Sequence, residues 1–236
     1  MHLTGVTLYP DRYPTEHHYP FNLQIFHSTK EIEFNTPVTF FIGENGTGKS
    51  TLLHAIAKKC GIYIWKEPEH TSDKYSEQLY RYIQVHWAGE PVSGSFFASE
   101  RFQYFAQVVD RTAITDPGIL KYYGGEHLTT KSHGQCNMAY FKSRYKIKGL
   151  YFLDEPETAL SPKRQLELLK VIDEMSKSGH AQFLIATHSP ILMALPGSTV
   201  YSFDDIPIRQ ARYEDTDYYQ IYRDFLNNRE KYFSST

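Results

Sequence analysis

Short apolar runs alternate with stretches of helical spacing along most of the chain. Leu3 to Tyr9 predicts a strand, and Pro10, Pro14 and Pro20 make the next stretch an irregular loop. Phe21 to Phe26 and Ile32-Glu33-Phe34 predict two more short strands, and Val38-Thr39-Phe40-Phe41-Ile42 a buried one. Leu52 to Lys59 predicts a helix that Gly61 stops. Ile62 to Trp65 predicts extended chain, and the polar stretch Lys66 to Lys74 a surface excursion. Leu79 to His86 fits helix and strand equally. Ser95 to Ser99 predicts a strand, Glu100 to Arg111 an amphipathic helix, and Thr112 to Thr130 a loop.

A helix follows Gly134 through Met138, Phe141 and Tyr145. Leu150-Tyr151-Phe152-Leu153 is a continuous apolar run suited to a parallel strand covered on both faces. Ser161-Pro162 opens a helix with a hydroxyl cap and Pro at its first position. Leu168, Val171, Ile172 and Met175 carry that helix, and Gly179 ends it. Phe183 to Ala186 predicts a second buried strand, Thr199 to Phe203 an edge strand, and Tyr218, Ile221, Tyr222 and Phe225 a closing amphipathic helix. Strands alternating with helices predict an α/β fold with a mainly parallel sheet.

Composition narrows the classes further. A hydrophobic share of 41% over 236 residues predicts a soluble globular chain with ample core. Net charge is −2 without long runs of one sign, so no general polyanion-binding face is expected. Nineteen Tyr and 15 Phe raise the aromatic share to 15%, but they are scattered rather than interleaved with basic clusters. Core and surface packing is therefore preferred to base stacking. No apolar run reaches the roughly 18 residues of a membrane span, and Met1-His2-Leu3-Thr4 does not open a signal peptide. Cys60 and Cys136 lack metal-ligand spacing and read as free thiols, which suits a cytoplasmic protein with no direct membrane insertion.

The chemistry begins where the buried strand Val38 to Ile42 ends. Gly43-Glu44-Asn45-Gly46-Thr47-Gly48-Lys49-Ser50-Thr51 fits the pattern G-x-x-x-x-G-K-[ST], with a strand before it and a helix after it. Glycines let successive backbone N–H groups face one anion, and the new helix adds its N-terminal dipole. Lys49 can reach β- and γ-phosphates, and the Ser50 hydroxyl can ligate Mg²⁺. The pattern predicts binding of a nucleoside triphosphate.

Phosphate binding alone does not name a reaction. The strand Leu150 to Leu153 runs into Asp154-Glu155-Pro156, placing two carboxylates at the carboxyl edge of the sheet. Asp154 suits Mg²⁺, directly or through water, and Glu155 suits proton abstraction from an attacking water. The strand Phe183 to Ala186 ends in Thr187-His188-Ser189-Pro190, where His188 can hydrogen-bond a γ-phosphate or that water.

Between these motifs lies Lys131-Ser132-His133-Gly134-Gln135. Here the chain resembles the ABC-type ATPases, whose modules carry a Leu-Ser-Gly-Gly-Gln signature between the phosphate loop and the Asp-Glu strand. Four motifs in matching order, from Gly43 to His188, carry the resemblance. With Lys131 for the leucine and His133 for the first glycine, the signature resembles the Ser-His-Gly form of small standalone members. The resemblance implies a P-loop NTPase fold: an ABC-type core with a small antiparallel N-terminal part and a reduced helical lobe. It implies one domain over residues 1–236, with the signature lobe at roughly 100–148. It also implies ATP and Mg²⁺ as ligands and a head-to-tail homodimer in the ATP-bound state. In that dimer Ser132, Gly134 and Gln135 would contact the γ-phosphate of the partner's ATP.

The same resemblance implies an aromatic residue stacked on adenine upstream of the phosphate loop. Tyr19 is the first choice, with Phe21 and Tyr13 beside it. Where the family's Mg²⁺-sensing glutamine ends a strand, this chain has Ser99-Glu100, which makes Glu100 the candidate for Mg²⁺ through water. The loop Thr158-Ala159-Leu160-Ser161 lacks the usual aspartate. The altered glutamine position and the short stretch from Glu100 to Ser132 favour a non-transport process such as DNA handling or defence, with an unidentified protein or nucleic-acid partner. The alternatives are the ATP-binding subunit of a membrane transporter and a slow nucleotide-dependent switch.

Overall fold

The computed structural model describes residues 1–65, 75–130 and 132–233. The predicted excursion Lys66 to Lys74 and Lys131 of the signature lie outside the described residues. The N-terminal strand β1 (Leu3–Leu8) leads through a loop to a short helix α1 (Gln24–Ser28), then to β2 (Glu31–Glu33) and β3 (Val38–Ile42). Helix α2 (Lys49–Lys59) leaves the phosphate loop, followed by β4 (Ile83–Trp87), β5 (Gly94–Ala98) and α3 (Ser99–Thr115). Next come α4 (His133–Arg144), β6 (Gly149–Asp154), α5 (Pro162–Lys177) and β7 (Ala181–Ala186). Strands β8 (Thr199–Ser202) and β9 (Arg209–Ala211) and helix α6 (Asp217–Asn227) close the chain.

Six strands form the main sheet in the order β5-β6-β7-β3-β8-β9, parallel except where β8 meets β9. A small antiparallel sheet, β2-β1-β4, lies apart from it. Strands β3 and β7 are buried at every position and β6 at all but its last, as continuous apolar runs demand when helices cover both faces. Successive residues point to opposite faces. Phe40, Tyr151 and Phe183 enter one core, which also takes Phe105 of α3, Phe141 of α4 and Leu168 of α5. Phe41, Phe152 and Leu184 enter the other, with Leu52, Leu53 and Ile56 of α2 and the small sheet. Much of the aromatic content is core: Tyr140, Tyr145 and Tyr151 are all buried.

A buried amide ties the two sheets together. Gln182 Oε1 accepts from the backbone N–H of His2 (2.7 Å) and Leu3 (2.8 Å), and its Nε2 donates to Leu3 O (2.8 Å). One side chain from β7 thus satisfies the start of β1.

Several expectations change. Phe21 to Phe26 is not a strand: Ile25 and Phe26 are buried from α1, and Phe21 is buried in the turn before it. Ile62 to Trp65 joins no ladder. Leu79 to His86 splits into a 3-10 turn (Leu79–Tyr82) followed by β4. The stretch expected to be loop after Arg111 continues α3 to Thr115 and then forms 3-10 turns at Pro117–Tyr123 and Leu128–Thr130. Helix α5 starts at Pro162 as expected, yet the Ser161 hydroxyl caps nothing. Strand β8 is not an edge, because β9 pairs outside it.

The sheet's other edge is held by a close approach. In the β5–β6 pair Gly94 faces Leu150, and a Cβ on Gly94 would stand 1.8 Å from Leu150 O. Gly94→Ala should therefore destabilise the fold by about 2 kcal/mol, read from urea unfolding; an unchanged midpoint would show that β5 shifts freely.

Candidate functional site

Because β6, β7 and β3 are adjacent and parallel, their carboxyl ends open onto one edge of the sheet. The phosphate loop leaves β3, Asp154-Glu155 leaves β6, and Thr187-His188 leaves β7. Residues 33 to 145 positions apart in sequence are joined there by the pairing of three strands.

The loop takes its shape from glycine. Gly43, Gly46 and Gly48 have φ of +139°, +81° and +102°, the region that L side chains avoid. At Gly48 a Cβ would also meet the Phe26 ring at 2.7 Å, so α1 packs directly beneath the loop. Asp204, just after β8, braces the loop's start: its Oδ1 accepts from Glu44 N at 2.7 Å. The Lys49 side chain is buried and folds onto the loop, its Nζ donating to Gly43 O (2.6 Å) and Glu44 O (2.8 Å). Burial lowers the Lys49 pKa, and the carboxylates of Glu155, Asp204, Asp154 and Glu44 oppose that shift.

The Ser50 hydroxyl donates to Asp154 Oδ1 at 2.7 Å. These paired hard oxygen donors fit Mg²⁺. Among the described residues no cluster of three or more His, Cys, Asp or Glu forms a metal cage. His54, one turn after Ser50 on α2, brings Nε2 to 3.3 Å from Asp154 Oδ2.

Glu155 is the only described non-glycine residue at positive φ, +46°. Its N–H is held by Ala186 O (2.9 Å) and its carbonyl takes the Ser99 hydroxyl (2.6 Å), so neighbouring strand ends fix the strained turn. The side chain stands half-exposed, with Oε1 3.4 Å from His188 Nε2. Burial and the Lys49 charge lower the His188 pKa, which keeps the imidazole neutral near pH 7, although Glu155 pulls the other way. His188 Nδ1 lies 2.8 Å from the Tyr218 hydroxyl, and that hydroxyl donates to Gly43 O at 2.9 Å.

Tyr19 stands partly exposed next to the loop helix, its hydroxyl paired with that of Thr51. With Ser50 and Thr51 it lines a cleft of about 750 Å³. Glu100 is exposed in the first turn of α3, and it is Ser99 beside it that reaches Glu155. Ser132 and Gln135 are exposed at the start of α4, and Gln135 Oε1 accepts from Ser132 N (3.1 Å) and Oγ (3.0 Å). Gly134 brings α4 against the loop after Glu155, since a Cβ there would lie 3.2 Å from Ala159 O. His133 contacts Gln103 of α3.

Sequence reasoning passed over His54, Ser99, Glu157, Asp204 and Tyr218. His54 carried a signal, its i+4 spacing from Ser50 on one helix face. Tyr218 carried none, being 175 residues from Gly43.

Glu157 binds the two carboxyl-edge loops to one another: its Oε1 accepts from His188 N at 2.6 Å. Burial raises its pKa above the ordinary 4.5, and the Glu155 charge adds to the rise. A carboxyl with a raised folded pKa contributes stability that is full below 4.5 and is lost as pH climbs through the folded value. Glu157→Gln keeps the acceptor and cannot ionise. Its unfolding midpoint should therefore gain on the wild type as pH rises from 4 to 8, in urea titrations at both ends of that range. A pH-independent gap would show that Glu157 titrates as it does in water.

Comparison with known proteins bears on the fold. Residues 21–60 match a family model described as "AAA domain", and residues 139–194 match one described as "AAA domain, putative AbiEii toxin, Type IV TA system". The first match spans the phosphate loop, the second Asp154-Glu155 and His188. No curated protein matches the chain. A nucleotide-free ATP-binding cassette from an ABC transporter is similar in structure, with a TM-score of 0.55 at 14% identity over 98% of this chain and 97% of that one. The cbiO1 structure from Clostridium perfringens, part of the ABC transporter complex cbiONQ, has a TM-score of 0.52 at 21% identity, covering 86% and 90%. The SMC head domain from Thermotoga maritima has a TM-score of 0.51 at 16% identity, covering 89% and 98%. The chain has the P-loop fold of the ABC-type ATPases.

Proposed function

We propose that the chain binds ATP with Mg²⁺ and hydrolyses it as a nucleotide-gated head-to-tail homodimer, coupled to a non-transport process such as DNA handling or defence. The observation that carries this reading is the facing pair Glu155 and His188, 3.4 Å apart, beside a lysine-bearing phosphate loop.

The loop from Gly43 to Thr51 cradles the phosphates with its N–H groups, and Lys49 turns from its carbonyl partners to the β- and γ-oxygens. Ser50 and Asp154 would hold Mg²⁺, which supplies charge neutralisation on the phosphates; Glu100 is a further candidate through water. Tyr19 stacks on adenine. Glu155 takes one proton from the attacking water as its oxygen bonds to the γ-phosphorus and the bond to the β-bridging oxygen breaks. His188 orients that water. The exposed α4 N-terminus, with Ser132, Gly134 and Gln135, offers donors and a positive dipole end to the γ-phosphate held by a second copy. In this scheme residues 1–236 act as one module, with its signature lobe at roughly 100–148.

Transporter cassettes and an SMC head share this fold, so fold alone does not select the process. Ser99-Glu100 in place of a glutamine at the end of β5 argues against transport. The description of the family matched over 139–194, which names a toxin–antitoxin system, leans the same way. Among the described residues no helix is long and apolar enough to cross a membrane, and a cytoplasmic place suits this role.

Lys49→Ala should lose tight ATP binding by calorimetry. Glu155→Gln should bind ATP yet turn over about 10²–10⁴-fold more slowly, accumulating as a dimer in light scattering; turnover at the wild-type rate would remove Glu155 as the base. Ser132→Arg should bind ATP as a monomer and hydrolyse little. Full turnover by that variant would rule out completion of the site by a second copy.

A further inference from the structure

The Tyr218 hydroxyl stands between two groups of the site and has one proton to give. It lies 2.9 Å from Gly43 O and 2.8 Å from His188 Nδ1. A carbonyl oxygen can only accept. Were the hydroxyl proton turned to Nδ1, two oxygen lone pairs would oppose each other at 2.9 Å inside the site. All three groups are satisfied in one arrangement: the hydroxyl donates to Gly43 O, and Nδ1–H of His188 donates to the hydroxyl.

We infer that Tyr218 is a positioning residue that fixes His188 as its Nδ1–H tautomer, leaving Nε2 as a hydrogen-bond acceptor beside Glu155. Nε2 is a buried atom with no hydrogen-bond partner, and it faces Glu155 Oε1 at 3.4 Å. Two acceptors turned toward each other at that distance want a donor with two hydrogens between or beside them. Water is such a donor, and an anionic phosphate oxygen is not. One O–H points to the Glu155 carboxylate, which takes that proton on attack. The other points to Nε2 and stays on the oxygen that becomes part of the phosphate product. The lowered His188 pKa keeps the ring singly protonated, as this role needs.

The role assigned to water rests on the proposed hydrolysis; the tautomer does not, and the experiment separates them. In protein labelled with ¹⁵N-histidine, long-range ¹⁵N–¹H correlations report which ring nitrogen carries the proton, and His188→Asn identifies the signal by its loss. His188 of the wild type, without nucleotide, should show Nδ1–H. In Tyr218→Phe it should shift toward Nε2–H, and kcat should fall about 10–100-fold with KM and ATP affinity nearly unchanged. An Nε2–H signal in the wild type overturns the assignment even if the variant does not fold. So does a Phe variant whose His188 spectrum and kcat match the wild type. A wild type that binds ATP, shows Nδ1–H and hydrolyses nothing would fault the proposed function and leave the tautomer standing.

Discussion

The parallel pairing of β6, β7 and β3 is the constraint on which the site depends. Asp154 lies opposite Ala186, and Phe41 opposite the same Ala186, so the three strands end level. A parallel ladder cannot slip by one residue without turning every buried side chain to the wrong face. Here both faces are packed, with Phe40, Tyr151 and Phe183 on one side and Phe41, Phe152 and Leu184 on the other. The core thus specifies register, and register specifies where Lys49, Glu155 and His188 meet.

Strain appears where that alignment needs help. Glu155 adopts a left-handed backbone without being glycine, a conformation that costs of order 1 kcal/mol and persists only when neighbours hold it. Ala186 O, the Ser99 hydroxyl and the Glu157 bridge to His188 N supply that hold from three sides. The turn is therefore a junction between β5, β6 and β7 rather than a free loop. The carboxylate it presents is aimed by backbone that cannot relax.

The site was legible in sequence wherever chemistry and chain proximity coincide. Nine consecutive residues spell the phosphate loop, and Asp154-Glu155 and His188 each follow an apolar run that could only be a buried strand. Legibility failed where a side chain serves the site from a distant element. Tyr218 reads as one apolar position among several on α6, and nothing within that helix marks its hydroxyl for Gly43. Phe21 to Phe26 reads as a strand by hydrophobicity, but the lack of a pairing partner and the need to floor Gly48 leave it a helical turn. Strand β8 looked like an edge because β9 is three residues long and polar, and its pairing is a tertiary fact.

Helix α4 links the exposed residues at its start to the loops at the strand ends. Its Gly134 lies so near Ala159 O that any larger residue would press on the turn that follows Glu155. Its His133 touches Gln103 on the helix that begins at Ser99, whose hydroxyl holds the Glu155 carbonyl. Two short contact paths thus run from the start of α4 to the same glutamate, one through the loop after β6 and one along α3. Behind those contacts, buried Cys136, Met138, Tyr140 and Phe141 anchor α4 in the core.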